Sequence, residues 1–130
     1  MGVGAAELPH ELLLDGEPSG VIELPVEWVR DDAVYFWMQR GQSFRPYTPP
    51  AAVFKIFRRE FDAAYDEGGL FQLTLHPHVV GYRSRIWILE ELIRHARQRG
   101  SVWFATAQPC VPEFAPCFDV SAPIHEIHGV

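Results

Sequence analysis

The sequence predicts an α/β fold in which strands alternate with helices along the chain. Two stretches repeat apolar residues at spacings of three and four, as amphipathic helices do, and short apolar runs bounded by Gly or Pro flank them. With 130 residues, 48% of them hydrophobic and 13% aromatic, the chain has enough apolar material for one core. Strands that alternate with helices pair in parallel, with right-handed crossovers.

The first strand in this pattern covers residues 21–24, and Pro25 ends it. Residues 1–20 show little beyond a turn cluster at 15–20, so we expect a poorly ordered lead-in segment. Residues 25–50 form a long loop with two tryptophans, an Asp-Asp pair and several arginines. Loops of this length in small domains are commonly lids or binding loops, and the part around 34–38 could be helical.

The most regular helical pattern covers residues 50–67. Thr48 is a suitable N-cap, a proline fits the first helical position, and Gly68 can end the helix in the left-handed conformation. The predicted buried face consists of Val53, Phe54, Phe57, Phe61, Ala64 and Tyr65. This aromatic stripe predicts core packing rather than a ligand site.

The next apolar run, residues 70–75, predicts a buried strand that ends at His76, Pro77 and His78. Proline has no N–H to donate, so strand pairing stops there. In a βα unit, ligands bind at the carboxyl end of the strand, which is where these histidines lie. Hydrogen-bonded loop histidines would give the same pattern, and the residue types alone leave both interpretations open.

A second amphipathic helix is predicted over residues 84–99, with Gly100 as its end and a further strand at 101–106. Its predicted buried face consists of Ile86, Leu89, Leu92, Ile93 and Ala96. Residues 107–130 are proline-rich and predict an irregular tail. About three parallel strands and two main helices cannot bury both faces and edges of a parallel sheet, so this pattern indicates part of a larger assembly.

The charge and composition exclude several classes of partner. The formal net charge is −6, from 11 Lys and Arg against 17 Asp and Glu, and no basic stripe indicates nucleic-acid binding. No apolar run is long enough to cross a membrane, and the first residues lack the pattern of a signal peptide. We therefore expect a cytoplasmic protein. Cys110 and Cys117 could form a disulfide, but in that compartment we expect free thiols.

A series of motifs in order along the chain resembles the C-terminal part of the polysaccharide deacetylases with a NodB homology domain. The motifs are Leu24-Pro-Val-Glu-Trp28, Asp31-Asp32, Arg45-Pro-Tyr-Thr-Pro-Pro50, Leu73-Thr-Leu-His-Pro-His78, Gly81, Arg83-Ser-Arg85 and Val102-Trp-Phe-Ala-Thr106. The resemblance covers roughly residues 8–106 and is nearest the intracellular branch with peptidoglycan-deacetylase-like proteins and allantoinases. It implies that residues 21–106 are the C-terminal portion of an irregular (β/α)7 barrel that hydrolyses carbon–nitrogen amide bonds.

The resemblance also implies roles for individual residues. His76 stands where the family has a general acid that protonates the leaving amine, and Asp31-Asp32 stand near the carboxylate that orients this histidine. A histidine suits the role because its ordinary pKa is near neutrality. Trp28 is implied to wall the pocket, and the other implied substrate-binding residues are His78, Arg83 and Arg45.

The sequence also differs from the family in its metal-binding motifs. The family binds a zinc-type divalent metal through an N-terminal Asp-Asp motif and a His-x-x-x-His motif. This sequence has no His-x-x-x-His, and Asp31-Asp32 matches the later carboxylate motif rather than the N-terminal one. We therefore expect no metal or other cofactor to be bound by this chain alone and no activity from it. Two further hypotheses stay open: a non-catalytic accessory module that completes a barrel with a partner, and a metal-binding protein that uses His76, His78 and tail histidines. The expected partners are a small-molecule or amino-sugar substrate and a second copy or a complementary N-terminal half.

Overall fold

The computed structural model describes residues 8–37, 39–40, 43–44 and 47–107. Two strands begin this part of the chain and two long helices form its centre. The elements in order are β1 (His10–Leu14), β2 (Glu17–Glu23), a 3-10 turn (Trp28–Arg30), α1 (Asp32–Phe36), β3 (Gln39–Arg40), β4 (Ser43–Phe44), α2 (Pro50–Glu67), α3 (Pro77–Val80) and α4 (Trp87–Arg99).

Strands β1 and β2 form an antiparallel hairpin, with His10 opposite Glu23 and Leu14 opposite Glu17. The connecting turn has positive φ angles at Asp15 (52°) and Gly16 (85°), as two-residue hairpin turns require. The prediction of a poorly ordered lead-in is therefore wrong for residues 10–20. The predicted strand at 21–24 is the end of a longer strand whose partner precedes it.

Helix α2 confirms the prediction for residues 50–67, including the end at Gly68, whose φ of 69° lies in the left-handed region. Its buried side chains are Val53, Phe57 and Phe61, which repeat at every fourth residue. The predicted cap is wrong: Pro49 occupies the N-cap position, and the helix has no side-chain cap hydrogen bond.

Helix α4 begins at Trp87, three residues later than predicted, because residues 82–86 form a tight turn. Its buried side chains are Ile88, Leu92 and Ala96. Leu92 and Ala96 confirm the predicted face, Ile88 was not predicted, and the other predicted members are only partly buried. α4 packs against α2, and the core includes Phe57 and Ile88, both 0% exposed. Partly buried apolar side chains from the segments around 71–75 and 102 pack against this core.

The predicted sheet of about three parallel strands is not formed within the described residues. Residues 70–75 make one parallel bridge, between Thr74 and Asp31, and residues 101–106 run without a strand assignment. A parallel strand needs hydrogen-bonding neighbours along its edges, and the described chain supplies one such neighbour over a single residue pair. The helices thus agree with the prediction and the sheet does not.

The loop at 25–50 contains a short helix, as predicted, but over Asp32–Phe36 rather than 34–38. The tail from 108 onward, with Cys110 and Cys117, lies outside the described residues. Among the described helices, none is long and apolar enough to cross a membrane. The division into residues 1–20, 21–106 and 107–130 stays a prediction.

Candidate active site

The backbone brings Asp31 and Asp32 beside the segment that ends at His76. The Thr74 N–H donates to the Arg30 carbonyl at 2.8 Å, and the Asp32 N–H donates to the Thr74 carbonyl at 3.2 Å. This parallel bridge fixes the register of the two segments. Asp31 also caps α1, because its Oδ1 accepts a hydrogen bond from the Ala33 N–H at 2.7 Å.

Asp32 is 0% exposed, and within the described residues the hydrogen bonds to its carboxylate all come from His76. The backbone N–H of His76 donates to both carboxylate oxygens, at 3.2 and 3.0 Å. The ring Nδ1 of His76 lies 2.7 Å from Asp32 Oδ1. A buried carboxylate is costly unless it is hydrogen-bonded, so Asp32 holds both the backbone and the ring of His76 in place.

His76 reaches this position because Pro77 follows it. The residue before a proline favours extended backbone, and His76 has φ −108° and ψ 118°. Pro77 then starts α3 at a position where the missing N–H costs nothing. Because the extended chain changes to a helix at His76, the backbone N–H and the ring Nδ1 of this residue both hydrogen-bond to the Asp32 carboxylate.

The charge around His76 favours its protonated form. The hydrogen bond from the ring to Asp32 raises the pKa of His76 above the ordinary value of 6.5, and the negative charges of Asp32 and Asp31 act in the same direction. Partial burial opposes them. Asp31 contributes from farther away, since its Oδ1 lies 3.9 Å from Nδ1. The His76 side chain is 34% exposed, so the ring is accessible from solvent while Asp32 is not.

The rings of Trp37 and His78 pack beside the His76 ring, next to its contact with Asp32. The Trp37 ring centroid lies 6.4 Å from that of His76 and 5.7 Å from that of His78, both edge to face. The two histidine rings are 5.7 Å apart. Sequence reasoning missed Trp37 and chose Trp28. No local sequence signal distinguished Trp37, because its contacts depend on how α1 and α3 are placed.

The other predicted residues lie apart from this cluster. Trp28 is on the 3-10 turn and 77% exposed, and Arg83 is exposed in the turn after α3. No recorded contact within the described ranges joins either of them to His76. Arg45 lies outside the described residues. The structure thus brings together Asp31, Asp32, His76 and His78, and their roles stay predictions.

Asp31, Asp32 and His76 also place three potential metal-ligand atoms within 4.8 Å of one another. Zinc would need direct bonds of about 2.0–2.2 Å to such atoms. In this arrangement, however, Asp32 Oδ1 is hydrogen-bonded to His76 Nδ1, and Asp31 Oδ1 accepts a hydrogen bond from the Ala33 N–H. The donor set therefore fits a carboxylate that holds a protonated imidazole better than it fits a resident metal.

Comparison with known proteins gives one line of support for the family. No protein-family model matches the chain, and neither does any curated protein. A crystal structure from Mycobacterium smegmatis, described as a "putative polysaccharide deacetylase", is similar at a TM-score of 0.70 and 27% identity. The match covers 85% of this chain but only 38% of that one. This likeness supports, at a coarse level, the polysaccharide deacetylase family and a partial match to its fold.

Proposed function

We propose that this chain carries part of the active site of a hydrolase that cleaves carbon–nitrogen amide bonds in the manner of polysaccharide deacetylases. The observation that carries the proposal is the 2.7 Å hydrogen bond between the buried Asp32 carboxylate and Nδ1 of His76. The likeness to the Mycobacterium smegmatis protein supports the class of reaction. The proposed substrate is an amino-sugar amide or a ureide, in keeping with the resemblance to the allantoinase-like branch.

In the proposed reaction, His76 is the general acid and Asp32 orients it. Because Asp32 accepts the hydrogen on Nδ1, the proton available for transfer is on Nε2. When water attacks the amide carbon and the carbon–nitrogen bond breaks, the electron pair of that bond moves to the nitrogen. The nitrogen then takes the proton from Nε2 and leaves as an amine. The hydrogen bond to Asp32 raises the pKa of His76 and so favours the protonated form that a general acid needs.

The water-activating base and any metal would come from outside this sequence, which contains no His-x-x-x-His motif. General acid help alone contributes only about 10²–10⁴-fold, so we propose that the chain is inactive by itself. His78 is the best supported of the proposed substrate contacts, because its ring lies beside His76 and Trp37. Trp28, Arg83 and Arg45 are weaker candidates for the same role.

A second candidate function is that of a non-catalytic accessory subunit that completes a barrel with a partner. The observation that favours it is an apolar groove of about 750 Å³ between α2, α4 and the segments at 70–75 and 101–105. Leu73, Leu75 and Phe104 are among the side chains that line it. A barrel of the expected type would fill this region with strands, and this chain matches only 38% of its structural relative. The partner would be a complementary N-terminal half or a second copy of the chain.

A chimera tests the first proposal. This chain replaces the matching portion of the Mycobacterium smegmatis protein, and the product is assayed with acetylated chito-oligosaccharides and with allantoin. We expect activity from the chimera on one of these substrates and none from this chain alone. In the chimera, His76→Ala should lower kcat by about 10²-fold or more with little change in KM, because a general acid acts in the transition state.

The matched control is His95→Ala. His95 also bonds a carboxylate, with its Nε2 2.6 Å from Asp62 Oδ1, but this pair joins α4 to α2 away from the proposed site. It should leave kcat within about twofold. A His76→Ala chimera with unchanged kcat would contradict the proposed general acid. An active chain without the added half would contradict the proposed division of the site.

A further inference from the structure

Arg85 lies in the turn between α3 and α4, and three aromatic rings surround its guanidinium. The central carbon of that group is 4.7 Å from the ring centroid of Phe36, 5.0 Å from that of Tyr82 and 5.4 Å from that of Tyr47. Phe36 is only 3% exposed, so one of these contacts is in the core. Cations are attracted to the faces of aromatic rings, and most strongly where water is excluded.

The same guanidinium binds the end of α3. Its Nη1 donates to the Val79 carbonyl at 2.9 Å. The last carbonyls of a helix have no partner within the helix, so a side-chain donor there fixes the helix end. Because α3 has four residues and begins directly after His76, a contact at Val79 restrains the whole segment.

No carboxylate pairs with Arg85 in the part of the chain that the structure describes. Its Nε is buried and has no hydrogen-bond partner there. Arg85 as a whole is half-buried, and the contacts that hold its guanidinium are the three rings and the Val79 carbonyl. Arg83, two residues earlier, has the same charge but is exposed. The two arginines are therefore not equivalent.

These contacts connect the two short helices that present the proposed acid and its carboxylate. Phe36 is the last residue of α1, which begins at Asp32, and Val79 lies in α3, which begins after His76. We propose that Arg85 is a positioning residue: it ties α1 to α3 and so keeps the His76 ring in register with Asp32. This inference rests on the proposed function only for its effect on catalysis, and the positioning itself is a property of the chain alone.

The test uses nuclear magnetic resonance on the full chain, with Arg85→Met as the main variant and Arg83→Met as the matched control. Methionine keeps much of the apolar stem but removes the charge and the donor to Val79. We expect the His76 titration in Arg85→Met to move from its raised position toward the ordinary pKa of 6.5, with loss of the downfield Nδ1–H signal. Arg83→Met should leave both unchanged.

Arg85→Lys provides a milder second variant, because lysine keeps the charge but cannot span the three rings and the carbonyl together. We expect an intermediate shift of the His76 titration. In the chimera, Arg85→Met should lower kcat by about 10²-fold, as small displacements of a catalytic group do, with KM within about twofold.

A folded Arg85→Met chain with the wild-type His76 titration would overturn the inference. So would the loss of folding in both Arg85 variants, because Arg85 would then serve the whole fold rather than the His76 segment. The result is separable from the proposed function: a shifted titration in a chimera that never shows activity would support positioning by Arg85 and count against the hydrolase. An unshifted His76 titration in an active chimera that loses its activity on Arg85→Met would support the hydrolase and count against positioning by Arg85.

Discussion

Asp32 and His76 are 44 residues apart in the sequence, and their side chains meet at 2.7 Å. Of the two adjacent aspartates, only Asp32 is fully buried, and only Asp32 accepts both the backbone and the ring N–H of His76. Asp31 lies 3.9 Å from the ring and caps α1. Adjacent residues with the same side chain therefore have different tasks, one toward the histidine and one toward a helix.

The first prediction separates these two aspartates. In the active chimera, Asp32→Asn should lower kcat by about 10²-fold, because an amide cannot stabilise the protonated imidazole. Asp31→Asn should change kcat by less than about fivefold, since asparagine is as good an N-cap as aspartate. Steady-state kinetics at neutral pH measure both. Equal losses in the two variants would contradict the assignment of Asp32 as the orienting carboxylate.

The second prediction concerns pH and stability. The pKa of His76 is raised in the folded chain, so protonated His76 stabilises the fold fully below its unfolded value of 6.5. This contribution is lost as the pH rises through the raised pKa of the folded state. We expect the urea midpoint to fall as the pH rises above about 6.5, and Asp32→Asn to flatten that fall.

His78→Ala is the control for this measurement, because it leaves the bond between Asp32 and His76 intact. Its urea midpoint should show the wild-type fall with pH. A wild-type midpoint that rises over this range, or an Asp32→Asn chain with the same slope as the wild type, would show that this hydrogen bond does not govern the pH dependence.

The helices were predictable from local pattern, and the sheet was not. Phe57 and Phe61 repeat at helical spacing and Gly68 ends their helix, all of which depends on nearby residues. The run at 70–75 has the composition of a strand, but a strand needs partners from elsewhere, and the described chain supplies only Asp31. The hairpin at Asp15 and Gly16 was missed although Asp-Gly is a common hairpin turn, because the flanking leucines do not alternate with polar residues.

The candidate site divides in a similar way. His76 and the aspartates were predicted through a resemblance, because no local rule brings residues 44 apart into contact. Trp37 and Arg85 were not chosen, since their contacts depend on how two short helices are placed. A tryptophan in a loop and an arginine in a turn look the same in sequence whether they contact a site or solvent. Trp28 and Arg83 were chosen for motif membership and are both exposed.

The third prediction uses Gly81, which follows α3 directly. A Cβ added there would lie 2.2 Å from the Pro77 carbonyl oxygen, so α3 must shift to admit it. We expect Gly81→Ala to destabilise the chain by about 1–3 kcal/mol and to disturb the His76 signals, because Pro77 is next to His76. Gly69→Ala is the control, since its nearest neighbour would be 3.6 Å away. A Gly81→Ala chain as stable as the control would contradict this close approach.

The last prediction concerns the apolar groove between α2, α4 and the segments at 70–75 and 101–105. Trp103 and Phe104 on its border are 58% and 56% exposed, and Leu73 and Leu75 lie within it. Every 100 Å² of apolar surface left in water forgoes about 2.5 kcal/mol, which is a large part of the stability of a small domain. We therefore expect the isolated chain to self-associate through this groove or to bind hydrophobic dyes strongly.

Light scattering and dye fluorescence measure this, with Phe104→Glu as the variant and Leu14→Glu as the control. Leu14 is also exposed, at 69%, but lies on the β1–β2 hairpin. Phe104→Glu should lower the mean mass and the dye signal, because a carboxylate in the groove opposes apolar contact, and Leu14→Glu should change neither. If the wild-type chain stays monomeric at micromolar concentration, melts cooperatively and binds no dye, then the groove needs no partner and the chain is stable by itself.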